Sequence, residues 1–412
     1  MKKIILASAL TTGLLVMPLH AVYASEVNDT NIVSNSDVSQ LKYEDIQRVI
    51  MEKSFKVRIN TDTVDSMENG YLSLQDAKDS LSDSLSTLKR TIRQLKDSEK
   101  APGADIASIE TQISILSNSA VGIEKNLNSL ENQEEDVAKR VEKAKFSIEM
   151  ANKVIVLQTE GLFFANDALM RQRQTLESNL TYLNKSYDVI KLRQTLGMVS
   201  ELDLKDMEQR IKDIKYQTDL ISQKLDSVRG QANILIAQDF NHPLNLINQV
   251  LVDEDKIKAM NYKKDSVIAM DKNYSLKLQH MEIEAKQLSL DHAEETDGRD
   301  SYAYKGALAD LDAEILKFEE AKRETAQAFD SVSNTVHNNL EAYQLEKGRF
   351  DNLKIKLNNA RLSNQLGLIS DLDMLEATVE YTNQELKVQN AYEELFKAFT
   401  AYQWFSDGVN VS

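Results

Sequence analysis

The chain has 412 residues, 65 of them acidic against 49 basic, and its formal charge of −16 argues against nucleic acid or anionic membrane as the main partner. Cysteine is absent, so no disulfide framework, lipid-modified N-terminal cysteine, thiolate metal site or thiol nucleophile is expected. With 42% apolar residues but only three prolines and twelve glycines, the chain can build a core and is expected to build it from long helices.

The opening residues carry the marks of an export signal. Lys2 and Lys3 precede an apolar run from Ile4 to Leu19, and small residues Val22 and Ala24 stand where a signal peptidase reads. The run is short for a membrane span and contains Pro18. Residues 1–24 are therefore expected to be a signal peptide, and the rest an exported protein of the cell envelope, whether periplasmic, outer-membrane-associated or on the cell surface. Residues 25–40, rich in Asn, Ser and Asp, read as a flexible lead-in.

Residues 41–242 are assigned to a first helical repeat. Leu74, Leu81, Leu85, Leu88, Ile92 and Leu95 fall at heptad intervals, and after Pro102-Gly103 so do Ile106, Ile109, Ile113, Leu116, Ala120, Ile123, Leu127 and Leu130. Such a narrow apolar stripe supports a left-handed coiled coil, with a helical hairpin turning near 102–103. An enzyme core would need wider apolar faces. The stretch "LGMVSELDLKDM" then ends one helix and starts another. Gly197 can adopt the left-handed conformation, Ser200 can cap the next helix, and Asp203 stands three residues on as the capping-box acid.

Residues 243–407 are assigned to a second repeat and 408–412 to a tail. "MDKNYSLKL" from Met270 matches "MEKSFKVRI" from Met51 nearly position by position, and "LGLISDLDMLEA" repeats the earlier turn with Gly367, Ser370 and Asp373. Met51 to Gly197 spans 146 residues and Met270 to Gly367 spans 97; the difference, 49, is a multiple of seven. An insertion of whole heptads would lengthen the first repeat without disturbing its seam. The predicted fold is all-α: long antiparallel coiled-coil hairpins in two tandem repeats.

Two repeats, each ending in a Gly-apolar-apolar-Ser-acid-Leu-Asp turn before a long helix, resemble the TolC-type outer-membrane efflux family. "LKYEDIQRVIMEKSFKVRI" is similar to the helix that opens each family repeat, and "RGQANILIAQDF" to the end of the first. The resemblance implies a homotrimer with a twelve-helix tunnel, whose lower tips meet a periplasmic adaptor (a membrane fusion protein) working with an inner-membrane transporter. It places Gly197 and Gly367 at the tips. Asp373 and Glu376 match acidic positions that face the narrowed pore, with Asp203 and Asp206 as their first-repeat counterparts. Two departures are visible. Where the family has barrel strands, this chain has "KDSEKAPGADIAS" and "HAEETDGRDSYAYKGA", neither able to supply two membrane strands. Leu368 and Ile369 occupy the region where a basic residue is common, so no ion-pair lock of the tip is expected.

Simpler readings stand beside these. Capping and the helix dipole account for Asp203 and Asp373 without a pore. "DHAEETDGRD" lacks the ligand spacing of a calcium loop and reads as a turn. His242, His280, His292 and His337 have no partners at metal-ligand spacing, and no phosphate loop or nucleophile elbow appears. Phe396, Phe399, Tyr402 and Trp404 read as core. No cofactor, metal or catalytic residue is expected. The leading expectation is a non-enzymatic tunnel or docking component of an efflux or secretion assembly. The rival is a structural or adhesive envelope coiled coil.

Overall fold

The computed structural model describes residues 38–100, 105–247 and 254–411. The signal peptide, most of the lead-in and the turn at Pro102-Gly103 lie outside the described residues. Within them, helix α1 (Ile46–Lys53) precedes α2 (Phe55–Ser98), α3 (Ile106–Thr195) and α4 (Glu201–Leu235). The short α5 (Glu254–Lys258) precedes α6 (Tyr262–Lys272), α7 (Tyr274–Asp297), α8 (Tyr302–Gln365) and α9 (Asp371–Ser406).

The long helices pair as antiparallel hairpins. Between α2 and α3, Asn60 donates to Asn152 at 2.7 Å, Lys78 pairs with Glu134, and Lys89 pairs with Glu124 at 2.6 Å. As one residue number rises along this seam, the other falls by nearly the same amount. At 90 residues, α3 outruns α2, and its second half pairs with α4. There Tyr187 donates to Glu208 at 2.9 Å and Leu176 is buried with Ile221 and Leu225. Likewise the 64-residue α8 pairs first with α7, then with α9. Lys286–Asp310 ties the first pair at 3.7 Å, and the second stacks Phe350 on Tyr381 at a ring separation of 4.9 Å. The apolar positions named in the sequence lie on these seams and are buried or half-buried for the most part, as a two-helix contact requires.

Two breaks depart from the sequence reading. Ser54 (φ −64°, ψ 124°) alone separates α1 from α2, and Asn273 (φ −58°, ψ 119°) alone separates α6 from α7. They occupy matching points of "MEKSFKVRI" and "MDKNYSLKL". Neither break carries Gly or Pro. Asn273 instead caps α7, accepting from the Leu276 amide at 3.0 Å.

Each hairpin pair has its own buried cluster. Strand β1 (Gln40–Lys42) lies parallel to β2 (Asn245–Ile247), setting Leu41 beside Leu246. Both join Ile50 of α1, Phe163 of α3 and Ile236 in one buried cluster. A second cluster gathers Phe329 and Val336 of α8, Leu395, Tyr402 and Phe405 of α9, and Ile257 of α5. Each large side chain so buried contributes roughly 1.5–3 kcal/mol. Phe396 and Phe399 are buried, whereas Trp404 is half-buried against the first cluster.

The lead-in gives way to strand at Gln40, because Leu41 is drawn into the core. At the start of the tail Gly408 and Val409 are buried, and the Gly408 carbonyl accepts from the Tyr274 amide at 2.9 Å.

Candidate functional site

The two turns that end α3 and α8 share one backbone and capping geometry. Gly197 sits at φ +71° and Gly367 at φ +70°. The amide of Gly197 reaches the Gln194 carbonyl at 2.9 Å and that of Met198 the Arg193 carbonyl at 2.9 Å. At the other turn, Gly367 reaches Asn364 at 2.9 Å and Leu368 reaches Ser363 at 2.8 Å. This paired pattern closes the orphan carbonyls of a helix end, and the left-handed residue it requires favours glycine.

The cap of the next helix stands three residues after each glycine. Asp203 receives the Ser200 amide at 2.9 Å and its hydroxyl at 2.7 Å, while its own amide donates back to Ser200 Oγ at 3.2 Å. Ser370 and Asp373 repeat the three distances. The hydrogen bonds from the serine hydroxyl and amide hold both carboxyls below the usual aspartate range. Each acid also lies in the first turn, where the helix dipole favours negative charge.

The turns differ in one respect the sequence reading passed over. Asn364 Nδ2 reaches across the second turn to the Ile369 carbonyl at 3.3 Å and the Asp371 carboxylate at 3.0 Å. Gln194 stands at that place in the first turn. The only signal in the sequence is an Asn opposite a Gln.

Both turns expose apolar side chains. Leu192, Leu196, Met198 and Leu202 are exposed at the first, and Leu362, Leu366 and Leu368 at the second. Asp206 and Glu376 lie further along α4 and α9 on exposed surface, away from the cap bonds. The hairpin pairs are joined elsewhere, on α3 and α9. Arg171 pairs with Glu393, Phe164 meets the edge of Phe396, and the Trp404 indole donates to Glu160 at 2.6 Å.

"DHAEETDGRD" forms the end of α7 and the turn through Gly298 into α8. No group of three or more His, Cys, Asp or Glu side chains among the described residues could hold a metal ion. None of the described helices is long and apolar enough to cross a membrane.

No family model and no curated protein matches the chain. Solved structures do match. The chain has the TolC-type fold. The MtrE outer membrane channel of Neisseria gonorrhoeae aligns over 94% of this chain and 95% of its own, at 11% identity and a TM-score of 0.54. The CmeC outer membrane channel of Campylobacter jejuni aligns over 68% of both chains at 12% identity and 0.55. A membrane protein of Pseudomonas aeruginosa aligns over 90% and 92% at 9% identity and 0.58. At such identities the likeness is one of fold. Within that TolC-type fold, the described residues hold two three-residue strands and no barrel. The end of "HAEETDGRDSYAYKGA", one of the two places where barrel strands would stand, is the capped start of α8.

Proposed function

We propose that this protein is a non-enzymatic, exported component of an efflux or secretion assembly, built from two tandem repeats and forming a helical tunnel in the cell envelope. The reading is carried by one observation: two hairpin ends with the same cap geometry, in a TolC-type fold, both exposing apolar side chains that their own helices leave uncovered. Three protomers would place Gly197, Ser200, Gly367 and Ser370 at the tunnel's tips, facing a periplasmic adaptor coupled to an inner-membrane transporter. Asp203 and Asp373 would then shape the tips, with Asp206 and Glu376 lining the mouth.

Light scattering on the mature chain tests the reading, with a mass of three protomers and binding to an adaptor hairpin expected. A stable monomer with no adaptor binding would overturn it. A second reading, a structural or adhesive coiled coil of the envelope, draws support from the two helical hairpins at the places where barrel strands would stand. Replacing Gly367 and Ser370 separates the two. Lost transport with unchanged helicity belongs to the conduit, and unchanged transport to the rival.

A further inference from the structure

The α2–α3 hairpin is the longer of the two that stand at the strand positions, and along most of its length α2 packs on α3. The seam positions Leu81, Leu85, Leu88 and Leu95 face α3, which leaves the opposite side of α2 to solvent. That side carries a charge pattern centred on Ser86. Acids stand 3, 7 and 10 residues before it at Asp83, Asp79 and Asp76; bases stand 3, 7 and 10 residues after it at Lys89, Arg93 and Lys96. All six are exposed, as is Ser86. Steps of three and four keep each set on one helical stripe. Lys89 also pairs with Glu124 of α3; Arg93 and Lys96 form no ion pair with a described residue.

We infer that this face of α2 is a self-association surface whose occupant is the α2 of a second copy of this chain, antiparallel to it about a two-fold axis through Ser86. Rotation about that axis brings each acid level with a base along the helix: Asp83 with Lys89, Asp79 with Arg93, Asp76 with Lys96. Asp79 and Arg93 lie nearest the line of Ser86 and meet directly, and the outer pairs attract across the contact. A two-fold interface makes every such contact twice. Parallel neighbours in a ring would set Asp beside Asp and Arg beside Arg, so the pattern selects head-to-head contact. Negative charge elsewhere on the chain keeps copies apart, so a local pattern of matched sign is needed to bring them together. The inference does not depend on the tunnel reading, because a monomer would pair to a dimer and a trimer to a hexamer.

Sedimentation velocity on the full mature chain tests it, at 50 and at 500 mM salt. The expected result is a doubling of the base mass at low salt, with the dissociation constant weakened about tenfold or more at high salt. Asp76→Lys with Asp79→Arg should abolish doubling, and so should Arg93→Asp with Lys96→Asp. An equimolar mixture of the two variants should restore it, since every repulsion becomes a match. These positions touch no core, so circular dichroism should be unchanged. Three outcomes would overturn the inference: no doubling of the wild type at low salt, doubling that survives in either variant alone, or no rescue in the mixture. Binding to phosphatidylglycerol vesicles without doubling would assign the basic half of the face to a lipid surface instead.

Discussion

Glu160 is a carboxyl group held where charge is costly. Burial among α1, α3 and α9 pushes it up to about 7, although hydrogen bonds from the Trp404 indole and the Tyr43 hydroxyl pull the other way. Lys153 and Glu149 of α3 and Asp407 after α9 line the same cleft. An unfolded glutamate titrates near 4.5. The folded state therefore holds the proton more tightly, and the stability this gives is complete below about 4.5 and lost as pH rises through 7. Glu160→Gln keeps an acceptor for the indole and removes the charge. It should be nearly neutral at pH 5 and stabilising by about 2–3 kcal/mol at pH 8. Urea unfolding followed by Trp404, the single tryptophan, measures this directly. Glycines make a second contrast. A Cβ on Gly197 meets open space, so Gly197→Ala carries only the left-handed penalty of about 1–2 kcal/mol. On Gly408, at φ +90°, it would stand 2.2 Å from the Lys272 carbonyl oxygen. Gly408→Ala must break the Tyr274–Gly408 bond and should cost about 3 kcal/mol or more, read from the same unfolding curves. The sequence displayed the caps, because capping chemistry is local to seven residues. It could not display Glu160, whose hydrogen-bonding partner lies 244 residues away.

At the scale of elements, periodicity carried the most information. Heptad spacing reports a seam directly, and Ile109 to Leu130 lie on the α3 side of the seam with α2. What stayed hidden was made by tertiary contact. Leu41 and Leu246 pair across more than half of the described chain, and nothing near either residue marks a strand. Ser54 and Asn273 break helices with residues that helices tolerate, so only the packing on both sides decides there. The hairpin of α2 with α3 has the narrow seam that lets it be shortened. Removing residues 77–97 from α2 and 107–134 from α3 takes out three and four whole heptads, keeping the remaining seam in register. The clusters around Phe163 and Phe329 contain none of those residues. The shortened protein should lose helical signal in proportion to its length, with a thermal midpoint within about 5 °C of the full chain. A collapse of the midpoint would mean that the outer hairpin supports the core. Low-salt doubling should disappear with the same deletion, because Ser86 and five of its six flanking charges go with it.

For the whole molecule, the tips pose a question of surface energy. Leu196, Met198 and Leu202 on one turn, and Leu362, Leu366 and Leu368 on the other, are each more than half exposed although the chain has cores that bury leucine elsewhere. Apolar side chains clustered on a turn mark a surface that something else covers. The caps need glycine, serine and aspartate there and place no demand on the leucines, so fold and docking make separable claims on the same twelve residues. Leu196→Ser, Leu366→Ser and Leu368→Ser together should leave helicity and the unfolding midpoint unchanged, since these side chains contribute nothing to a buried cluster. Ser200→Ala with Ser370→Ala should do the reverse, costing about 1 kcal/mol each while leaving the apolar surface in place. Under the proposed function, the leucine variant loses adaptor-hairpin binding in a pull-down on folded protein, and the serine variant retains most of it at temperatures where the turns remain formed. If instead the leucine variant binds as well as the wild type, the tips are ends of rods and the partner seat lies elsewhere. If it unfolds early, the leucines belong to the fold, and their exposure has been misjudged as an invitation to a partner.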